Sequence, residues 1–144
     1  MKIVKMEEEH LAAVAELERL CFSKPWSESA LSLLLTDGAF GVVCVEGDRV
    51  LAYGGAVKAL EEAQITNVAV HPEQRRKGYG RALLRGLIEE GGRQGCTEFS
   101  LEVRASNQGA IALYGQEGFV SAGIRKRFYQ APVEDAVVML LSKG

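Results

Sequence analysis

Val68-Ala69-Val70-His71-Pro72-Glu73-Gln74-Arg75-Arg76-Lys77-Gly78-Tyr79-Gly80-Arg81-Ala82-Leu83-Leu84 sets the frame for the whole chain. An apolar run leads into a basic loop marked by Pro72, and two glycines in Gly-x-Gly spacing open a helical pattern. The first N–H groups of a helix have no intrahelical partners, and the helix dipole adds partial positive charge there. Gly78 and Gly80 remove side chains that would hold a ligand at a distance, while Arg75, Arg76, Lys77 and Arg81 add full charges. The stretch reads as strand, anion-binding loop and helix.

Working outward, residues 40–45 and 49–57 are β-rich and joined by the turn signal Glu46-Gly47-Asp48. Residues 64–70 follow closely, so the three runs are expected to form an antiparallel meander. Further upstream, residues 2–6 read as a strand. Residues 8–21 read as a helix with Leu11, Val14, Ala15, Leu17 and Leu20 at helical spacing. Pro25-Trp26-Ser27 breaks the chain, and Ser27 is placed to cap a helix through Leu35 that Gly38 ends.

Downstream, the helix 80–90 carries Leu83, Leu84, Leu87 and Ile88 as its buried stripe and is expected to stop at Gly91-Gly92. It leads to a strand at 98–103, expected to run parallel to the strand before the helix. Asn107 caps a helix over 108–117, closed by Gly118, and strands at 120–124 and 137–141 flank a connection over 125–135. The order β-α-α-β-β-β-α-β-α-β-β is that of an α/β, or α+β layered, fold.

The chain has 144 residues, which suits one domain spanning 1–144 with a substantial core. Seventeen Lys and Arg against 19 Asp and Glu give a formal net charge of -2, which argues against a dedicated nucleic-acid binder. Cys21, Cys44 and Cys96 are odd in number and share no close spacing, so neither a disulfide framework nor a zinc site is expected. These cysteines read as core residues. The first residues lack the apolar run of a signal peptide, and no stretch approaches the ~20 apolar residues that span a bilayer. A cytoplasmic protein is expected. His10 and His71 have no partners at metal-ligand spacing and read as surface residues; no metal is expected.

Three phosphate-binding readings compete for the loop. A dinucleotide site requires Gly-x-Gly-x-x-Gly, but Leu83 stands at the third position. A P-loop requires Gly-x4-Gly-Lys-Ser/Thr, which is absent. Arg75-Arg76-Lys77-Gly78-Tyr79-Gly80 fits the third, a pyrophosphate held by Arg/Gln-x-x-Gly-x-Gly/Ala after a strand.

On these residues the chain resembles the GNAT superfamily of N-acetyltransferases, whose acetyl-CoA motif residues 68–84 match. Leu101-Glu102-Val103-Arg104-Ala105-Ser106-Asn107, with Ala110-Ile111-Ala112-Leu113-Tyr114 and Gly118-Phe119, more narrowly resembles its RimI group. Pro25-Trp26-Ser27 and Glu134-Asp135-Ala136 are similar to that group as well. The resemblance covers nearly the full chain. It implies a GNAT-type mixed, mostly antiparallel sheet of about seven strands flanked by four helices. It also implies acetyl-CoA as co-substrate and transfer to the N-terminal alanine of a small-subunit ribosomal protein. The segment Gln130-Ala131-Pro132-Val133 departs from the group in being short and lacking a glycine tip.

The resemblance further implies that the backbone of Val68, Ala69 and Val70 pairs with the pantetheine arm like an added strand, one amide polarising the acetyl carbonyl. Backbone amides of Arg76, Lys77, Gly78, Tyr79, Gly80 and Arg81 would hold the pyrophosphate. Glu102 is the candidate general base: alternation puts Phe99, Leu101 and Val103 on one face, Ser100 and Glu102 on the other. A salt bridge to Arg104 or another arginine is the plainer reading. Tyr114, two helical turns after Asn107, is the candidate general acid for the departing thiolate; the alternative is a core tyrosine beside Leu113. Asn107 resembles the family's cofactor-contacting asparagine, although capping alone would explain it.

A lone carboxylate suits an α-amine of pKa about 8 better than a lysine of about 10.4, of which roughly 0.1% is neutral near pH 7.4. Trp26 reads either as the border of a peptide groove or as a core anchor. Arg125-Lys126-Arg127 reads as a solvated basic face, with Tyr129 a candidate lining of the peptide site. Three other functions remain: acetylation of a small amine or lysine, acyl-CoA binding without turnover, and nucleic-acid binding. The basic run disfavours cationic small amines. Glu102 and Tyr114 together disfavour an inert module.

Overall fold

The computed structural model describes residues 1–143. The elements are β1 (Lys2–Lys5), α1 (Leu11–Cys21), α2 (Glu28–Leu31), β2 (Ala39–Glu46), β3 (Arg49–Ala59), β4 (Glu62–Val70), α3 (Tyr79–Arg93), β5 (Glu98–Arg104), α4 (Gln108–Gln116), β6 (Val120–Tyr129) and β7 (Glu134–Ser142). One seven-stranded sheet runs in the order β1-β2-β3-β4-β5-β7-β6. Every neighbouring pair is antiparallel except β4 and β5, which the α3 crossover makes parallel. No helix among the described residues is long and apolar enough to cross a membrane.

The sheet buries both faces, as period-2 alternation requires. On one face Leu83, Leu84 and Leu87 of α3 pack with Phe40, Phe99 and Leu101, and Ile111 and Tyr114 of α4 lie against this cluster. On the other face Val14 and Leu17 of α1 and Leu31 of α2 pack with Val43, Tyr53 and Ala69. Each fully buried leucine is worth about 1.5–3 kcal/mol relative to exposure.

The break that matters lies in β4. Gly55 pairs with Asn67 and Ala56 with Ile65, which leaves Thr66 as an extra residue. One inserted residue reverses the alternation. Before it, Ala63 and Ile65 face the α3 side; after it Val68 and Val70 do, and Ala69 turns to α1. Pairing of β4 with β5 ends at Gln64 and Ser100, so the two strands diverge beyond that point.

Several expected boundaries move. The first helix begins as a 3-10 turn over Glu8–His10, and Leu20 is 50% exposed rather than part of the buried stripe. The helix expected over 27–35 is α2 followed by a 3-10 turn, Ser32–Leu35, and Thr36 rather than Gly38 closes it. α3 runs on through Gly91 and Gly92 to Arg93. Gly91 has a packing reason to be glycine: a Cβ there would sit 2.6 Å from Phe99 Cε1. Residues 125–129 extend β6, so the connection to β7 shrinks to residues 130–133. His10 and His71 are half-buried and cap local turns, their Nδ1 atoms accepting the Glu7 and Glu73 N–H groups. Cys44 and Cys96 are core residues; Cys21 is only half-buried.

Candidate active site

Divergence of β4 from β5 opens a cleft of about 810 Å³ within the sheet, where the two strands part. Its walls combine Asn67 and Val68 of β4, Glu102 of β5, Tyr114 of α4, Tyr129 of β6 and Trp26 from the segment between α1 and α2. The His71 N–H donates to Leu51 O at 2.8 Å, so β4 residues of that parity bond to β3. Val68 and Val70 therefore turn their backbone groups toward the open edge. The Val70 carbonyl is already met there by Cys21 Sγ at 3.4 Å and Arg75 Nε at 3.3 Å. Ala69 belongs to the β3 ladder, opposite Tyr53, so its amide is not among the open-edge groups.

The basic loop beyond β4 has the backbone shape of an anion cradle. Arg76 has φ +66° and Gly78 φ +84°, and α3 starts at Tyr79 with no side chain capping it. Two positive-φ residues two apart, just before a helix start whose first N–H groups are unpaired, curve the backbone around that helix end. The first hydrogen bond of α3 runs from Ala82 N to Gly78 O at 3.1 Å, leaving the amides of Tyr79, Gly80 and Arg81 to face a ligand. A Cβ on Gly78 would meet nothing within 4 Å, so its positive φ rather than packing is what asks for glycine there. Arg76 in a left-handed conformation stores strain, a common cost at binding sites. These features fit the pyrophosphate of acetyl-CoA.

The Arg81 guanidinium is held elsewhere. It reaches Glu117 Oε2 at 2.5 Å and Gln116 Oε1 at 2.6 Å, so only its backbone amide remains with the loop. Arg85 grips the same carboxylate at 2.6 Å. That hydrogen bond and the Arg81 partner hold the Glu117 carboxyl down to about 2, against the upward push of burial. The cluster pins the end of α4 to α3.

Glu102 stands where the strands part. Its side chain is 11% exposed; Oε1 accepts a 2.8 Å hydrogen bond from Gln64 Nε2. Oε2 is buried and has no hydrogen-bonding partner. The nearest cation is Arg125, whose Nε lies 3.3 Å away without hydrogen-bond alignment. Arg104, one of the ion-pair partners weighed from sequence, instead engages Glu134 Oε1 at 3.2 Å and the carbonyls of Gln130 and Pro132, and the salt bridge to another arginine is the one Arg125 makes. Oε2 is thus paired with an exposed arginine but accepts no hydrogen bond, which leaves a lone pair for an incoming proton.

Tyr114 packs on Phe119 with ring centroids 6.0 Å apart, and burial raises its pKa. It lines the cleft as well as the core, so both sequence readings describe part of it. Asn107 caps α4, its side chain accepting from the Ala110 N–H at 3.1 Å, and it also borders the cleft. Trp26 is 40% exposed, which places it in the groove wall rather than in the core. Tyr129 stacks under Arg104, whose guanidinium carbon lies 4.5 Å from the ring centre. Burial, with Glu102 as the main nearby charge, raises the Tyr129 pKa. Among the described residues no group of three or more His, Cys, Asp and Glu is placed to hold a metal.

Sequence reasoning missed one constellation. Glu18 is 2% exposed, following Leu11, Val14 and Ala15 at helical spacing on the buried face of α1. Its carboxylate accepts the Trp26 N–H at 2.8 Å and the Tyr53 O–H at 2.5 Å, and Asn67 donates to Tyr53 at 3.1 Å. The only signal available was a carboxylate following Leu17 inside the apolar stripe.

Residues 11–119 match the Acetyltransferase (GNAT) family. The chain is 36% identical over 141 residues to the [ribosomal protein bS18]-alanine N-acetyltransferase of Escherichia coli strain K12, covering 96% of this chain and 95% of that one. It is 35% identical over 136 residues to a putative enzyme of the same description from Bacillus subtilis, covering 93% and 90%. The crystal structure of the Escherichia coli ribosomal-protein-S18-alanine N-acetyltransferase superimposes with a TM-score of 0.91 at 35% identity, over 99% of this chain and 94% of that one. The chain belongs to the acetyltransferase (GNAT) family, acyl-transferring enzymes that draw on acetyl-CoA.

Proposed function

We propose that this protein acetylates the N-terminal alanine of a ribosomal protein of the bS18 kind, in the cytoplasm, as a single catalytic domain. The observation that carries the reading is Glu102, a largely buried carboxylate in the gap between β4 and β5, one oxygen of which accepts no hydrogen bond and faces only the Arg125 guanidinium. The relatives named for this activity match over nearly their whole length and support it.

Acetyl-CoA supplies an acetyl group activated as a thioester. Backbone amides at Arg76–Arg81 hold the pyrophosphate, and the open edge of β4 at Val68 and Val70 aligns the extended arm as a further strand would. A β4 amide on that edge stabilises negative charge developing on the carbonyl oxygen. Glu102 receives the proton released when the amine nitrogen bonds to the carbonyl carbon. Tyr114 donates its phenolic proton to the sulfur as the C–S bond breaks. An α-amine demands little of Glu102, because a pKa near 8 leaves a useful neutral fraction at neutral pH.

The reading is tested by N-terminal mass spectrometry of ribosomal proteins from a strain lacking the gene. The bS18 N-terminus is expected to lose acetylation and regain it when the wild-type gene is restored. An unchanged bS18 N-terminus would exclude it as the substrate.

A further inference from the structure

Glu18, Tyr53, Asn67 and Thr66 form a hydrogen-bond chain from the interior to the cleft, and its direction is forced. A carboxylate can only accept. The Tyr53 hydroxyl donates to Glu18 Oε2 at 2.5 Å, so its oxygen is left to accept, and Asn67 Nδ2 supplies that donor at 3.1 Å. Asn67 must then turn Oδ1 toward Thr66, whose hydroxyl donates to it at 2.6 Å, with the Gly55 carbonyl a second and longer acceptor at 3.5 Å on the same inward side. With its proton committed inward, Thr66 Oγ1 has only lone pairs for the cleft it lines. The other Glu18 oxygen holds the Trp26 backbone N–H at 2.8 Å, anchoring the opposite wall of the same cleft.

The placement gives the chain a purpose beyond packing. Glu18 is 2% exposed with no basic side chain bonded to it, so an apolar residue would be the simpler filler. Thr66 is the inserted residue of the β4 bulge, two positions from Gln64, which holds Glu102. We infer that Glu18 is a positioning residue for the acceptor amine: it polarises the Tyr53–Asn67 relay so that Thr66 Oγ1 accepts an N–H from the amine end of the substrate. This rests on the acetyl-transfer reading of the cleft, and it adds a substrate contact on β4.

The inference is tested with steady-state kinetics on Glu18→Gln, Thr66→Val and their double variant, with an Ala-starting peptide and acetyl-CoA varied separately. An amide at position 18 lets the chain reverse, so that Asn67 Nδ2 takes a Thr66 lone pair and the hydroxyl becomes a poorer acceptor for the cleft. Each single variant is expected to raise the peptide KM about tenfold, the worth of one hydrogen bond lost. The KM for acetyl-CoA stays unchanged. In the Thr66→Val background, Glu18→Gln adds little, because its effect is exerted through that hydroxyl. Thr66→Ser, which keeps the acceptor, restores the wild-type peptide KM. Thr66→Val with wild-type peptide KM, or additive effects in the double variant, would overturn the proposal. So would equal rises in both KM values. If the wild type leaves the Ala-starting peptide untouched, the substrate reading fails separately, and the comparison is run on whichever amine the wild type acetylates.

Discussion

Two side chains, Glu102 and Tyr114, carry the proposed proton transfers, and their surroundings differ in a useful way. Glu102 has one oxygen oriented by Gln64 and one without a donor. Tyr114 is held by packing against Phe119, and burial raises its pKa, keeping the phenol protonated at neutral pH. Glu102→Gln is expected to lower kcat/KM by roughly 10²–10⁴-fold, and Tyr114→Phe by a similar factor, with melting temperatures near that of the wild type. Full activity in the double variant, read by a thiol-release assay, would remove both residues from the chemistry. Strand alternation made Glu102 legible in the sequence, because Phe99, Leu101 and Val103 claim the buried face and leave Glu102 on the other. Glu18 was legible only as an acid set in the apolar stripe of α1; its role as an interior acceptor comes from tertiary packing of Tyr53 and Trp26 against it.

At the scale of elements, the function depends on how α3 and α4 are held beside the open edge of β4. Arg81 and Arg85 on α3 close on Glu117 at the C-terminal cap of α4, which fixes the helix that carries Tyr114 and Asn107. The Glu117 carboxyl lies at about 2 in the folded protein against a usual 4.5. A lowered folded-state value means stability present above the unfolded value and lost as pH falls toward the folded one. The melting temperature is therefore expected to drop between about pH 5 and pH 2, and Glu117→Gln to flatten that part of the profile. An identical profile in the variant would deny the cluster this role. Element types and order were legible, because apolar periodicity and turn residues agree along most of the chain. The misplaced ends have local causes: Gly91 reads as a stop yet continues α3, since Phe99 occupies the space of its missing Cβ. Residues 125–129 read as a basic connection yet extend β6, where the Arg127 N–H donates to Asp135 Oδ1 across the hairpin.

Over the whole molecule, one inserted residue and one early end to strand pairing create the site. Thr66 shifts the alternation of β4, pairing with β5 stops at Gln64, and the cleft opens between the two strands. The loop motif at 68–84 was legible because backbone chemistry needs glycine and positive charge at fixed positions. The cleft itself was not, since a bulge leaves no mark in composition. One wall of the cleft is shaped by Trp26, Tyr129 and the 130–133 turn, which Arg104 ties down through the Gln130 and Pro132 carbonyls. The central claim is transfer of an acetyl group to a protein α-amine. Its most direct test is mass spectrometry of peptides with varied first residues after incubation with the purified protein and acetyl-CoA. Peptides beginning with alanine are expected to gain a single acetyl group on the α-nitrogen, with internal lysines unmodified. Acetylation confined to lysine side chains or small amines, with Ala-starting peptides untouched, would contradict the account.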